Sequence, residues 1–151
     1  MTQEKLKQFL DACYDAKRLV EHLPDLPDGM KPRQVHVLDA VNEIQKKQGF
    51  CRVSDISSYM NTTLPSITKL VQELEERNLL VKQADEKDKR VINLTLTEEG
   101  KEFVELRVTH FHGEWASRLP DLDDAVVDEF VHAITRMQDC LLYTSDAADE
   151  L

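Results

Sequence analysis

The chain has 151 residues, of which 32% are charged, and it contains 4 glycines and 5 prolines. This composition is typical of a mostly helical soluble protein, and the length allows one compact core. No apolar run approaches the roughly 20 residues that span a membrane, the N-terminus is too charged for a secretory signal, and the cysteines are too few for a disulfide scaffold. We therefore expect a cytoplasmic protein and exclude the membrane and disulfide-rich secreted classes.

The formal net charge of −10 is unevenly distributed. Residues 31–110 carry equal numbers of cations and acids, whereas residues 111–151 carry ten acids and two cations. A chain with a negative net charge can bind DNA only where local lysines and arginines overcome the repulsion. The charge distribution therefore leaves residues 31–110 as the part in which a DNA-binding surface is plausible.

Two amphipathic helices are predicted first. Helix one covers residues 3–23, ahead of a proline-rich break at residues 24–29. Its apolar stripe is predicted to be buried and consists of Leu6, Phe9, Leu10, Cys13, Ala16, Val20 and Leu23. Pro32 opens helix two and Gly49 ends it. Residues 50–52 follow as an extended link that could add a third strand to a sheet.

A short helix (residues 53–60), a polar turn (residues 61–63) and a second helix (residues 64–77) come next. Ser54 and Thr63 are predicted to cap the two helices, and Asn78 is predicted to end the second in a left-handed conformation. The apolar stripe of the second helix is Ile67, Leu70, Val71 and Leu74. Its opposite, solvent-facing side carries Ser66, Lys69, Gln72, Glu73 and Glu76.

A β-hairpin is predicted after these helices, with residues 79–84 and 90–96 as its arms and a charged tip at residues 85–90. The order helix, turn, helix, hairpin is that of a winged helix-turn-helix, whose second helix enters the major groove of DNA. An arginine on the tip of such a hairpin can enter a narrow minor groove. The predicted DNA contacts are Ser54, Thr62, Thr63, Ser66, Thr68, Lys69, Lys87, Asp88, Lys89 and Arg90.

These contacts have different predicted roles. Ser66, Thr68 and Lys69 are predicted to reach base edges, which carry the sequence information. The hydroxyls at positions 54, 62 and 63 are predicted to hold phosphates, which fix the register of the protein on the duplex. Arg90 is predicted to enter the minor groove with Asp88 orienting it, while the lysines of the tip attract phosphates.

Two further helices follow the hairpin. Thr97 is predicted to cap one long helix, and Pro120 is predicted to separate it from a last helix that starts near Asp123. The stripe of the long helix is Val104, Val108, Phe111, Trp115 and Leu119, and that of the last helix is Val126, Phe130, Ile134, Met137 and Leu141. Because these stripes exceed what a small winged domain needs, they predict a partner surface. The helical pattern is predicted to stop at Leu142, and we expect residues 144–151 to be a disordered or non-native tail.

The hairpin carries the most specific motif of the chain: Asp88, Arg90, Leu94, Leu96, Thr97 and Gly100. This set is similar to the wing pattern Asp-x-Arg, three residues, an apolar residue, x, Leu-Thr-x-x-Gly of the MarR family of bacterial transcription regulators. The helix L-P-S-I-T-K-L-V-Q-E-L-E also resembles the DNA-reading helix of that family, and Asn78 stands where the family usually has glycine. The resemblance covers roughly residues 3–140.

The resemblance implies a mostly α-helical fold with a small β-hairpin wing, in which a winged helix-turn-helix domain (residues 31–100) joins a helical dimerisation domain (residues 1–30 and 101–143). It implies a homodimer that binds double-stranded DNA at a palindromic operator, as a repressor released by a small aromatic or phenolic ligand. The ligand crevice of the family would place His36, His110 and Phe111 near that ligand. No cofactor is expected.

Three alternatives remain open. One branch of the family senses oxidants through a cysteine near the start of the chain, which would be Cys13, although a cysteine on an apolar stripe is ordinarily inert. Another branch senses zinc through a histidine pair four residues apart, whereas His110 and His112 are two apart and point to different faces. A winged helix can also bind proteins. An enzyme is not expected, because the chain has no glycine-rich phosphate loop, nucleophile elbow, CxxC or HExxH motif.

Overall fold

The computed structural model describes residues 1–21 and 25–146 of the chain. It divides into two compact units, Met1–His112 and Gly113–Leu151. The helices are α1 (Gln3–Val20), α2 (Pro32–Gln48), α3 (Val53–Tyr59), α4 (Leu64–Glu76), α5 (Glu98–Val104), α6 (His110–Ser117) and α7 (Asp124–Asp146), with a π-helical segment at Glu105–Thr109 and strands β1 (Leu80–Ala84) and β2 (Ile92–Leu96). The predicted class, mostly helical with a hairpin wing, is confirmed.

The core of the first unit is formed where α2, α3 and α4 pack together under the hairpin. The predicted stripe of α4 is buried, and Leu38 and Val41 of α2, like Val71 and Leu74 of α4, have no exposed surface. Each large apolar side chain buried in this way stabilises the fold by roughly 1.5–3 kcal/mol. The remaining buried apolar residues of the cluster are Met30, Val35, Val37, Ala40, Ile44, Cys51, Ile56, Ile67, Leu70, Leu80, Leu94, Leu96, Val104 and Val108.

Helix α4, the predicted reading helix, begins and ends close to the predicted positions. Asn78 has a φ of 58° and takes the left-handed conformation that ends the helix, as predicted. Thr63 occupies the N-cap position, but its hydroxyl donates to Ser66 Oγ at 2.9 Å and makes no capping bond to the backbone. Pro65 lies in the first turn, where its missing N–H leaves no bond unmade.

The prediction that Ser54 caps α3 is wrong. The N-cap is Arg52, and Ser54 is the second residue of the helix. The carboxylate of Asp55 accepts a hydrogen bond from the Arg52 backbone N–H at 2.9 Å, which satisfies a donor that the helix itself cannot pair. An acid at the third helical position is therefore what marks the start of α3.

The wing is a two-stranded antiparallel sheet in which Leu80 pairs with Leu96 and Ala84 pairs with Ile92. Its arms are one and two residues shorter than predicted. Residues 50–52 do not form the third strand that was considered, but the Leu94 N–H donates to the Cys51 carbonyl at 2.7 Å. This single bond ties the wing to the link between α2 and α3.

The long helix predicted after the wing is present and contains one π-helical turn. Thr97 caps α5 as predicted, because its hydroxyl accepts a hydrogen bond from the Gly100 N–H at 3.0 Å. The π-helical segment Glu105–Thr109 then widens one turn. Beyond that turn the predicted stripe is less buried: Val104 and Val108 are buried, Phe111 and Trp115 are half-buried, and Leu119 is exposed.

Helix α1 has no buried residue within the chain, so the predicted burial of its stripe is wrong for the isolated protomer. Leu6, Phe9, Cys13 and Ala16 are half-buried, whereas Leu10 and Val20 are exposed; Leu23 lies outside the described residues. No helix in the described ranges is both long enough and apolar enough to cross a membrane.

In the second unit, α7 begins after Asp123, whose carboxylate accepts a hydrogen bond from the Val126 N–H at 3.1 Å. The helix continues to Asp146, so the predicted end of the helical pattern at Leu142 is wrong. Residues 147–151, the rest of the predicted tail, lie outside the described part. The helix exposes the apolar residues Val126, Val127, Phe130, Val131, Leu141 and Leu142.

Candidate nucleic-acid interface

The solvent-facing side of α4 carries the residues that were predicted to read DNA bases. Ser66, Thr68 and Lys69 are all exposed, while Ile67 and Leu70 between them hold the helix on the core. The Thr68 hydroxyl donates to the Leu64 carbonyl at 2.9 Å, so its methyl group and its oxygen lone pairs remain for a ligand. Lys69 has a flexible four-carbon stem that can reach from this face into a groove.

An arginine that was not among the predicted DNA contacts lies against the turn before α4. Arg33 lies in the first turn of α2, and its Nη2 donates to Thr62 Oγ at 3.1 Å. The Thr62 hydroxyl in turn donates to the Met60 carbonyl at 3.2 Å, so its one O–H donor is used within the protein. A cation in the first turn of a helix is opposed by the helix dipole, and this was the available signal that Arg33 has another role.

The wing tip holds Arg90 in a defined orientation. The Asp88 carboxylate accepts hydrogen bonds from Arg90 Nε and Nη2, each at 3.1 Å, and from the Arg90 backbone N–H at 3.1 Å. These bonds, led by that from the Arg90 side chain, lower the pKa of Asp88. The Arg90 side chain is nevertheless 91% exposed. The geometry thus presents an oriented guanidinium to solvent, with Asp88 in the orienting position that was predicted.

Asp85 builds the rest of the tip. Its carboxylate accepts hydrogen bonds from the backbone N–H groups of Lys87 and Asp88, at 3.0 and 3.1 Å, and from Asn93 Nδ2 at 3.0 Å. The bond from Asn93 is the first cause of the lowered pKa of Asp85. Asp85 and Asp88 are therefore structural, and Lys87, Lys89 and Arg90 of the tip are exposed.

A second arginine lies beside the wing. The guanidinium of Arg52 lies 4.8 Å from the centre of the Phe50 ring, a distance at which the ring face attracts a cation. Its charge also lowers the pKa values of Asp85 and Asp88, as a smaller cause than their hydrogen bonds. Ser54, the predicted phosphate contact, is exposed two residues along in α3. Arg52 was predicted only as part of the link before α3 and not as a cation beside the wing.

The residues predicted to line a ligand crevice differ in their exposure. His36 and His110 are exposed, and Phe111 is half-buried with its ring centroid 6.0 Å from that of His112. The pKa of Asp39 is raised, chiefly by burial, and the charges of His112 and His36 oppose that rise. A surface cavity of about 310 Å³ lies elsewhere and is lined by Glu43, Ile44, Lys46, Lys47 and Tyr59.

The cysteines differ in their surroundings. Cys13, the predicted redox residue, is a half-buried free thiol on α1, and Cys140 is an exposed residue of α7. Cys51 is fully buried, and burial raises the pKa of its thiol to about 12, with the Asp55 charge as a smaller cause. A thiol held in this way stays protonated and unreactive at neutral pH. Within the described ranges, no group of three or more His, Cys, Asp or Glu side chains is arranged to hold a metal ion.

Comparison with known proteins gives matches that centre on this interface. Residues 28–91 match the model of the MarR family. The chain is 38% identical over 72 residues to the HTH-type transcriptional repressor MdtR of Bacillus subtilis (strain 168), and the match covers 48% of this chain and 44% of that protein. The chain therefore spans less than half the length of this relative.

Solved structures with the same fold extend over most of the chain. Streptococcus pneumoniae FabT, in complex with DNA, has a TM-score of 0.69 and 18% identity, covering 95% of this chain and 99% of that one. Bordetella bronchiseptica BpsR has a TM-score of 0.63 and 24% identity, and the match covers 89% of this chain and 99% of that one. The DNA binding of BpsR is regulated by 6-hydroxynicotinic acid. At these identities the two structures show a shared fold. The similarity in sequence to the MarR family therefore rests on residues 28–91, the winged-helix part of the chain, and the likeness over the rest of the chain is one of fold.

Proposed function

We propose that this protein is a sequence-specific DNA-binding transcription regulator that acts as a homodimer on a palindromic operator. The observation that carries the proposal is Arg90, 91% exposed on the wing and oriented by Asp88. A guanidinium held beside a reading helix suits a narrow, electronegative minor groove. The similarity to FabT, which was solved with DNA, supports the same reading.

The proposed contacts divide between α4, the elements around it and the wing. Ser66, Thr68 and Lys69 would read bases from α4. The predicted phosphate contacts are Ser54, Thr62 and Thr63, and we add Arg33 and Arg52 to them. Because the Thr62 O–H is already used within the protein, Arg33 would contact the phosphate at this position. Arg90 would enter the minor groove, and Lys87 and Lys89 would attract the flanking phosphates.

The homodimer is proposed from apolar surface that a single chain leaves open. In the first unit α1 buries none of its residues, and in the second unit α7 exposes Phe130 and Leu141, at 46% and 63%. Apolar stripes of this kind call for a partner surface, and we propose that residues 1–30 and 101–143 pair with a second copy. A two-fold dimer would place its two α4 helices roughly 34 Å apart, in successive major grooves.

We further propose that the regulator is a repressor released by a small aromatic or phenolic ligand, and that it works on DNA in the cytoplasm without catalysing a reaction. The relative MdtR is named a repressor, and the DNA binding of BpsR is regulated by 6-hydroxynicotinic acid. His36, His110 and Phe111 remain the proposed residues near the ligand.

Light scattering coupled to size exclusion, followed by footprinting on the DNA that flanks the gene, tests the proposal. We expect a dimeric mass, and two protected half-sites whose centres lie about 10 base pairs apart or a multiple of that. A monomer that protects a single half-site would overturn the dimer on a palindrome and leave DNA binding standing. A stable dimer that protects no DNA would overturn the DNA-binding proposal itself.

A further inference from the structure

One buried polar contact joins α2 to the proposed reading helix. Gln34 is 2% exposed, and it is the polar residue buried in the core of the described part. Its Nε2 donates to Glu73 Oε2 on α4 at 2.7 Å, and its Oε1 accepts from the Lys31 N–H at 2.8 Å. Both ends of the amide are therefore bonded, which a buried polar group requires.

Glu73 occupies an informative place on α4. The helical repeat puts it on the same side as Ser66 and Lys69, seven and four residues earlier, which are proposed to face DNA. Glu73 was predicted to lie on the solvent-facing side of α4, but its side chain is half-buried. Its hydrogen-bond partner, Gln34, lies 39 residues earlier in the chain. The bond to Gln34 therefore holds the base-reading side of α4 at a point two turns below Ser66.

Two flanking bonds extend this attachment along α4. Arg33 donates to Thr62 in the turn before the helix, at 3.1 Å, and Arg77 at its end donates to the Asp28 carbonyl at 3.0 Å. Residues 28–34, which we call the strap, thus contact α4 before its start, along its length and at its end. The strap consists of the last residues of the link that precedes α2 and of the first turn of α2 itself.

We propose that the Gln34–Glu73 bond is a positioning contact, which sets the rotation of α4 on α2 and thereby the discrimination of operator from other DNA. A hydrogen bond fixes both the distance and the direction between its partners, whereas apolar packing of equal volume tolerates small rotations. Base readout depends on such rotations because bidentate contacts to base edges are geometric. Phosphate attraction depends on them far less. The inference rests on the proposed function.

The test uses two variants that remove the same charge. Glu73→Gln keeps a side-chain oxygen that can accept from Gln34, whereas Glu73→Ala removes the acceptor and leaves the buried amide unpaired. We expect the ratio of operator affinity to random-duplex affinity, at fixed salt, to stay within about twofold of wild type for Glu73→Gln and to fall roughly tenfold for Glu73→Ala. Binding to random duplex should rise alike in both, because both lose one negative charge.

Rescue separates positioning from general damage to the fold. The double variant Gln34→Glu with Glu73→Gln exchanges acceptor and donor, keeps the net charge of wild type, and should restore the ratio that Gln34→Glu alone lowers. The control is Gln72→Glu, which adds the same single negative charge as Gln34→Glu but at an exposed position of α4 that does not contact Gln34. It should leave the ratio of operator affinity to random-duplex affinity unchanged. Equal ratios for Glu73→Ala and Glu73→Gln would overturn the proposal.

Amide hydrogen exchange supplies a readout that does not involve DNA. For Glu73→Ala we expect amide exchange to be faster than in wild type, both in the first turn of α2 and along α4. For Glu73→Gln we expect the exchange rates of wild type. The melting temperature of each variant is measured in parallel. Unchanged exchange in Glu73→Ala would overturn the positioning role even if the protein bound no DNA. Wild-type protein without operator preference would instead overturn the proposed function, and the exchange data would still decide the role of the bond.

Discussion

A Cβ atom placed on Gly100 would lie 2.0 Å from the carbonyl oxygen of Leu79. Gly100 stands in the first turn of α5, directly against the chain that enters the wing, and its N–H is bonded to the Thr97 hydroxyl at 3.0 Å. The Thr97 hydroxyl also donates to the Asn78 carbonyl at 2.7 Å. The end of α4, the wing and the start of α5 therefore meet at one crowded point, which explains physically why the wing motif ends in Thr-x-x-Gly.

Gly100→Ala should destabilise the fold by about 3 kcal/mol or more, because backbone must move to admit the methyl group. Gly113→Ala is the matched control: it lies in helix α6 with nothing within 4 Å of the added Cβ. We expect it to be neutral or to stabilise by roughly 0.5–1 kcal/mol, since alanine is the better helix former. Urea denaturation measures both, and equal stabilities for the two variants would contradict the crowding at Leu79.

The orientation of Arg90 gives a prediction about the wing. Arg90→Ala should weaken operator binding by roughly 1–3 kcal/mol and leave the dimer intact. Asp88→Asn should weaken it severalfold, although it removes a negative charge, because the two bonds from the guanidinium lose their charged acceptor.

The control for Asp88→Asn is Glu86→Gln, which removes the same charge from the same tip. Glu86 is exposed, and we expect its variant to tighten binding to every duplex slightly. Anisotropy titrations at one salt concentration compare the three variants. Tighter operator binding in both Asp88→Asn and Glu86→Gln would mean that Asp88 acts through its charge alone.

Lys69 is exposed on the base-reading side of α4 and is expected to contribute to sequence discrimination. Lys69→Ala should lower the preference for operator over random DNA by about 1–3 kcal/mol. Competition with unlabelled random duplex measures that preference. A uniform loss on both duplexes, with a salt slope smaller by about one, would instead identify Lys69 as a phosphate contact.

The buried thiol of Cys51 predicts how stability depends on alkaline pH. Its pKa is about 12 in the folded chain against 9.0 for an ordinary thiol, so above pH 9 the unfolded state loses a proton that the folded state keeps. Ionisation then stabilises the unfolded state, and stability falls as pH rises through 9 toward 12. Between about pH 7.5 and about pH 9.5 the loss should be about 1 kcal/mol.

Cys51→Ala tests this dependence, because the variant has no thiol to ionise. It should start less stable, since a buried side chain is truncated, but lose less stability over the same pH interval. Urea denaturation of both proteins at the two pH values gives the difference. The same decline in both would show that groups other than Cys51 carry the alkaline dependence.

Much of the fold was predictable because its pattern is local. The stripe of Ile67, Leu70, Val71 and Leu74 repeats at helical spacing and identifies α4 without tertiary information. Asn78 was predictable as a helix end because few residues tolerate its positive φ. The start of α3 was missed because an acid at the third helical position, Asp55, and a serine at the cap position, Ser54, are equally good local signals.

The parts that could not be predicted depend on contacts distant in sequence. Arg33 meets Thr62 and Gln34 meets Glu73 only after α2 and α4 pack, so a polar residue on a predicted exposed face proved half-buried. The π-helical segment is not marked by the spacing of apolar residues, so the 3.6-residue pattern predicted an α-helix throughout. In the candidate site the wing contacts were placed by their motif, whereas Arg33 and Arg52 belong to it by folding alone.

The central claim is that this protein, whose winged helix matches the MarR family model, recognises a specific operator. The most direct measurement is the fluorescence anisotropy of duplex DNA from the region flanking its gene, titrated with protein across a range of salt, with unlabelled random duplex as competitor. We predict tight binding that survives the competitor and weakens steeply with salt, as several phosphate contacts require. Failure to bind at low salt, with a folded dimer in hand and no bound ligand, would contradict the claim and favour a protein partner for the winged helix.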